Sequence, residues 1–295
     1  LRDATAIVVT PDADVWAGFG SPDTGRINQA GLARFHNGNW ERIGEAQGEP
    51  VGSVRRLLVT PQGGLLAGGD GAVRFENDEW QRLTDLSPVQ NPIIDLLITT
   101  GGAIWIAGVF DVYVLDGVGW ATFASVVPRA LAGTPDGHVW VARSALGIYG
   151  AGISVSDSSG ILQEAGDAAP IVAPGALAIT PDGAVWAGGV NGVARFDGAA
   201  WARIGVETLP EEPIRALRIG PDGDVWALAG DRHIAHWNGE RWLVHTPIET
   251  VIRDFAVAPD GTLWLTAPDG VVHVRPASIP TPLAVENPSA IVIPR

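Results

Sequence analysis

The sequence predicts an all-β chain folded as a seven-bladed β-propeller, with four antiparallel strands in each blade. Three observations carry that prediction. A short phrase built on Pro-Asp-Gly and tryptophan recurs seven times. Its copies are spaced as propeller blades are. Each copy is embedded in a unit of four short apolar segments with no sustained helical periodicity.

The phrase reads "TPDADVW" from Thr10, "TPQGGLL" from Thr60, "TTGGAIW" from Thr99, "TPDGHVW" from Thr134, "TPDGAVW" from Thr180, "GPDGDVW" from Gly220 and "APDGTLW" from Ala258. The last residues are Trp16, Leu66, Trp105, Trp140, Trp186, Trp226 and Trp264. They recur every ~41 residues, with variable insertions, as blades of four strands do. The units fall near residues 4–44, 53–84, 92–124, 128–165, 174–206, 213–246 and 251–286. Together they make one domain over residues 1–282. Residues 287–295 form a tail whose "SAIVIPR" resembles the opening "TAIVVTP", as a closing strand or the start of a further unit would.

Within a unit the strands are A to D in chain order. Strand A is an apolar run such as "TAIVV", "RRLLV" or "RALRI". The turn follows: Pro presets φ, Asp suits the next position, and Gly takes the left-handed position that closes the hairpin onto strand B. The first copy has Ala13 in that place, so its turn is expected to be distorted or of another type. Strand B ("VWAGG") does not alternate, as expected of a strand packed on both faces. Strand C ("GVARF") and strand D form a second hairpin. Its register sets Phe35 opposite Trp40, Phe75 opposite Trp80, Leu115 opposite Trp120, Phe196 opposite Trp201 and Trp237 opposite Trp242. All twelve tryptophans then belong to the scaffold. They are Trp16, Trp105, Trp140, Trp186, Trp226 and Trp264 on strand B, Trp40, Trp80, Trp120, Trp201 and Trp242 on strand D, and the pair partner Trp237. Cross-strand aromatic pairs stabilise a hairpin by about 0.2–1 kcal/mol each.

Composition excludes several functions. The formal net charge of −14 argues against a nucleic-acid partner, which needs a basic field. No apolar run is long enough to span a bilayer, so this segment does not insert directly. There is no Cys, which removes disulfides, thiolate metal sites and Cys nucleophiles. The 19 basic residues are all Arg, which removes lysine chemistry. The chain opens on Leu1 with no signal-peptide pattern, and is expected to be a processed or excised piece.

Units such as "GVARFDGAAWARIG" followed by "IRALRIGPDGDVWALAG" resemble the two-component-regulator propeller repeat of bacterial sensor ectodomains. The likeness covers about Ala4 to Val274. It implies a seven-bladed ring with ligand-sensing or structural roles, outside the cytoplasm: periplasmic, cell-surface or secreted. "GPDGDVW" is also similar to the repeats of streptogramin-lyase propellers. That resemblance implies a magnesium site with a particular His and Glu, a pair that no motif marks here.

Candidate sites are sought where units depart from the repeat. Arg opens strand A in four units, as Arg55, Arg129, Arg215 and Arg253. These are expected at the channel mouth, on the face of the D–A and B–C loops, where guanidiniums would take carboxylates or phosphates through a planar fork. The alternative is that nearby acids (Asp95, Asp254, Glu211, Glu212) neutralise them. A second basic column on strand C (Arg34, Arg74, Arg195, His236, His273) is read as packing and inter-blade pairing. His233 and His236 point to opposite faces of a strand, so a two-His metal site is not expected. The turn acids Asp136, Asp182, Asp222 and Asp260 serve the turn, since one carboxylate per blade cannot build a calcium site. The longest B–C loop, Phe19 to Ala30, and the insertion Arg143 to Gly152 offer Arg26, Arg143 and Tyr149 as loop contacts. No catalytic set, metal site or cofactor is assigned. The expected role is a non-catalytic module binding a protein or a small anionic ligand. The alternatives are a lyase or hydrolase with its site at the channel mouth, and a structural subunit of a larger assembly.

Overall fold

The computed structural model describes residues 2–20, 31–43, 52–77, 79–83, 89, 92–123, 126–144, 151–156, 162–165 and 169–275. Seven antiparallel sheets follow one another along the chain, each with its strands paired in sequence order. Blade 1 holds β1 (Ala4–Val9), β2 (Val15–Phe19), β3 (Gly31–His36) and β4 (Asn39–Ile43). Blade 2 holds β5 (Val54–Val59), β6 (Leu65–Gly69), β7 (Ala72–Glu76) and β8 (Glu79–Arg82). Blade 3 holds β9 (Asp95–Ile98), β10 (Ile104–Ala107), β11 (Val112–Leu115) and β12 (Trp120–Phe123). Blade 4 holds β13 (Pro128–Gly133), β14 (Val139–Arg143), β15 (Gly152–Ser156) and β16 (Leu162–Glu164). Blade 5 holds β17 (Ala176–Ile179), β18 (Val185–Gly189), β19 (Gly192–Phe196) and β20 (Trp201–Arg203). Blade 6 holds β21 (Ile214–Ile219), β22 (Val225–Ala229), β23 (His233–Trp237) and β24 (Trp242–His245). Blade 7 has β25 (Asp254–Val257), β26 (Leu263–Ala267) and β27 (Gly270–Val274). The fourth strand expected near Pro282–Glu286 and the tail lie outside the described residues.

The second strand of each blade is buried along its whole length, as a strand packed on both faces must be. The first strands touch their neighbours all round the ring, β1 to β5, β9, β13, β17, β21, β25 and back to β1. They therefore line its centre. The core lies between blades. Trp16 packs 5.6 Å from Phe75 and edge-on to Trp80 at 6.3 Å, both on blade 2. Trp140 meets Phe196 and Trp201 of blade 5 in the same way, and Trp186 meets Trp237 and Trp242 of blade 6. Trp264 of blade 7 meets Phe35 and Trp40 of blade 1, so the same contact closes the ring. The five predicted cross-strand pairs are all in register.

The first turn corrects an expectation. Ala13 has φ 67°, in the left-handed region that Gly63, Gly102, Gly137, Gly183, Gly223 and Gly261 occupy in the other six copies. Its N–H donates to Thr10 O at 2.9 Å, as Gly63 donates to Thr60 O. The turn keeps its type, and Ala13 carries the strain.

Candidate functional site

The channel mouth is built by the first turn of each inner strand. In β1, β5, β13 and β21 the ladder with the second strand slips by one residue, between Ala4 and Ala6, Val54 and Arg56, Pro128 and Ala130, and Ile214 and Ala216. The skipped residues are Thr5, Arg55, Arg129 and Arg215. A bulge leaves one residue out of the ladder and re-aims its side chain. Arg129 and Arg215 are exposed, and neither makes a hydrogen bond or ion pair with another described residue. Arg55 is half-buried, and its Nε has no acceptor among the described residues. Arg253 differs. It ion-pairs with Asp3 at 3.2 Å and donates to Ala4 O at 3.4 Å, so it ties blade 7 to blade 1.

Of the acids that were candidates for neutralising these arginines, Asp95, Asp254 and Glu212 are engaged elsewhere. Asp95 accepts Arg56 Nε at 2.8 Å on one side and the backbone N–H of Leu131 at 2.8 Å on the other. It thereby joins blades 2, 3 and 4. Asp254 repeats the arrangement: it accepts Arg218 Nη2 at 2.6 Å and the N–H of Ile7 at 3.2 Å, joining blades 6, 7 and 1. Asp95, and behind it Asp254, hold the Arg56 guanidinium above its ordinary pKa against the opposing effect of burial. Glu212 lies 3.0 Å from His233 Nδ1. Sequence reasoning did not single out Arg56 or Arg218. Their signal was the pairing of an inner-strand Arg with an inner-strand Asp one blade on.

Exposed apolar side chains share the mouth face. Phe110 on the B–C loop of blade 3 is 58% exposed. Val172, which leads into blade 5, is 60% exposed, and Val190 on that blade's B–C loop 53%. The loop candidates fare unequally. Arg143 is 1% exposed and donates to Glu164 on the adjacent hairpin, so it holds the base of its loop rather than facing outward. Arg26 and Tyr149 lie outside the described residues.

The basic column on the third strands pairs within its own blade, not between blades. Arg34 donates to Asp14 from Nε at 2.8 Å and lies 5.4 Å over Trp16. Arg195 pairs with Asp182 at 3.2 Å and lies 6.0 Å over Trp186. His236 stacks on Trp226 at 4.4 Å, and His273 on Trp264 at 4.3 Å. Burial pushes the His273 imidazole below its ordinary pKa. No group of three or more His, Asp or Glu among the described residues is placed to hold a metal ion. No described helix is long and apolar enough to cross a membrane.

No family model matches the chain, and no curated protein matches it. Solved structures do. Streptogramin B lyase superimposes with a TM-score of 0.73 at 15% identity, over 92% of this chain and 93% of that one. The fold is a seven-bladed β-propeller. The extracellular domain of a hybrid two component system protein from B. thetaiotaomicron gives a TM-score of 0.71 at 15% identity, over 92% of this chain and 38% of that one. PorZ, a surface component of the type-IX secretion system of Porphyromonas gingivalis, gives 0.68 at 13% identity, over 92% and 46%. Both kinds of propeller that the repeats resemble are thus among the structural neighbours. At these identities the likeness is one of fold, and function rests on the sites.

Proposed function

We propose that this propeller is a non-catalytic, extracytoplasmic binding module whose mouth face takes an acidic segment of a protein partner. The observation that carries the reading is the pair Arg129 and Arg215. They are exposed, aimed by bulges, and without an acid among the described residues, in a chain of net charge −14. In so acidic a chain, exposed guanidiniums would ordinarily be neutralised. Here Asp95 and Asp254 are consumed by Arg56, Arg218 and backbone N–H groups. Arg55 adds a third guanidinium on an alternate blade. The exposed Phe110, Val172 and Val190 favour a peptide over a bare anion, since they offer apolar area on the same face as the charge. The extracellular and surface settings of two structural neighbours support the location.

Calorimetric titration with a hexaglutamate peptide tests this. Saturable binding is expected that weakens with added salt and falls about tenfold or more in an Arg129→Gln/Arg215→Gln variant. Inorganic phosphate binding as tightly as the peptide would make the site one for small anions. Peptide binding that ignores the double substitution, or no binding, would overturn the reading.

A further inference from the structure

Blade 5 breaks the pattern of the mouth face in two linked ways. In blades 2, 4 and 6 the residue after the second strand donates its N–H to a carbonyl just ahead of the first strand. Asp70 donates to Ser53 O at 3.1 Å, Ser144 to Val127 O at 2.9 Å and Gly230 to Pro213 O at 2.8 Å. Two residues after each of these carbonyls stands a bulge arginine, Arg55, Arg129 or Arg215. Blade 5 keeps the bond, from Val190 N–H to Val172 O at 2.9 Å, and changes what surrounds it. The donor is a valine where the other three blades have Asp, Ser or Gly. The arginine position is Gly175. It precedes Ala176, which pairs with Gly188 as Ala130 pairs with Ala142 and Ala216 with Leu228. A Cβ at Gly175 would meet nothing within 4 Å. Where its two neighbours carry guanidiniums, blade 5 leaves open space.

The segment ahead of that gap is fixed in place. Val172 N–H donates to Asn191 Oδ1 at 2.8 Å, and Asn191 Nδ2 donates to Pro170 O at 3.3 Å. Arg203 on the fourth strand donates to Asn191 O. A Cβ at Gly189 would collide with Ile171 Cγ2 and Val172 O, so the segment lies directly on the end of β18. Ala173 has φ 48°, a left-handed backbone that an alanine adopts only where its surroundings impose it. Ile171 and Pro174 are buried, yet Val172 and its bonded partner Val190 are held exposed. Apolar surface fixed in water is surface that a partner's apolar side chain can cover with a gain in free energy. Blade 5 lies between blades 4 and 6, through the contacts of β17 with β13 and β21. The ring therefore sets an apolar notch with Arg129 on the blade to one side and Arg215 on the blade to the other.

We propose that the notch of Val172, Gly175 and Val190 takes one apolar side chain of the partner segment, with acidic residues flanking it on both sides. This rests on the reading that Arg129 and Arg215 take the acids. Charge complementarity specifies the flanks, and the valines and the space at Gly175 specify the centre. A purely acidic segment would leave the valines wet and gain nothing from the gap.

Calorimetric titration of the full chain with acetyl-Glu-Glu-Leu-Glu-Glu-amide and acetyl-Glu-Glu-Ser-Glu-Glu-amide tests the proposal. The leucine peptide should bind about tenfold tighter, as burial of most of one leucine side chain provides. Val172→Ser/Val190→Ser changes exposed side chains and keeps the backbone hydrogen bonds. It should bring the two peptides to equal affinity without weakening the serine peptide. Gly175→Leu should also remove the leucine advantage, by filling the gap. In Arg129→Gln/Arg215→Gln both peptides should weaken together. Equal affinity of the two peptides for the wild type, or a leucine preference that survives in Val172→Ser/Val190→Ser or in Gly175→Leu, would overturn the notch and leave the acidic-segment reading standing. No binding of either peptide would overturn both.

Discussion

Replacing Asp254 by Ala should loosen the ring where its two ends meet. The carboxylate is buried and satisfies donors from three blades: Arg218 Nη2 at 2.6 Å, the Ile7 N–H at 3.2 Å and, within its own strand, the Phe255 N–H at 2.9 Å. Each buried N–H left without an acceptor costs about 1–3 kcal/mol. Arg218 keeps a 26% exposed side chain and a carbonyl partner in Leu217, so its share is discounted for solvent. The two N–H groups together make the loss about 2–6 kcal/mol, a large part of the roughly 5–15 kcal/mol that stabilises a domain. Urea unfolding followed by tryptophan fluorescence measures it, with Asp197→Ala as an exposed control. The variant should lose its midpoint by that margin, and amide exchange at Ile7 should accelerate. Asp95→Ala should behave alike, with Leu131 as the reporter, because Asp95 holds Arg56 and Leu131 in the same way. A loss below about 1 kcal/mol, or one no larger than the control's, would refute the view that these carboxylates staple the blades.

Two further outcomes follow from the turns. Ala13→Gly should stabilise the chain by about 1 kcal/mol, seen as a higher thermal midpoint, since φ 67° strains Ala and not Gly. Thr180→Val should raise the Asp182 pKa, because the Thr180 hydroxyl is the largest cause that holds it below 3.8. A carboxylate lowered on folding contributes stability that is present above the unfolded pKa and lost as pH falls through the folded one. Wild type should therefore lose stability on acidification below about pH 4 more steeply than the variant, with the Asp182 carboxyl followed by NMR.

Much of the fold was legible because a propeller repeats its constraints. Pro-Asp-Gly needs one left-handed residue, and a blade-gap tryptophan needs an aromatic pair on the next blade, so both signals recur and reinforce each other. Where a substitution was tolerated, at Ala13, the neighbouring copies overrode the local preference. The Arg55, Arg129, Arg215 and Arg253 column was readable as a column, but the partner of each was not. Arg253 meets Asp3 only because the chain closes on itself, at a sequence separation that no local pattern records. Arg143 was the opposite case: a charged residue beside an irregular loop reads as exposed, yet it is buried and ion-pairs with Glu164 on β16 of its own blade.

The central claim is that the unpaired arginines of the mouth, and not the stapled ones beside them, meet the partner. The most direct measurement is the set of arginine Nε–Hε NMR correlations during titration with the hexaglutamate peptide. The signals of Arg129 and Arg215 should shift saturably, with Arg55 following, while those of Arg56, Arg218 and Arg253 hold their positions. Shifts confined to Arg56, Arg218 or the third-strand column Arg34, Arg74 and Arg195, or none at any arginine, would contradict it.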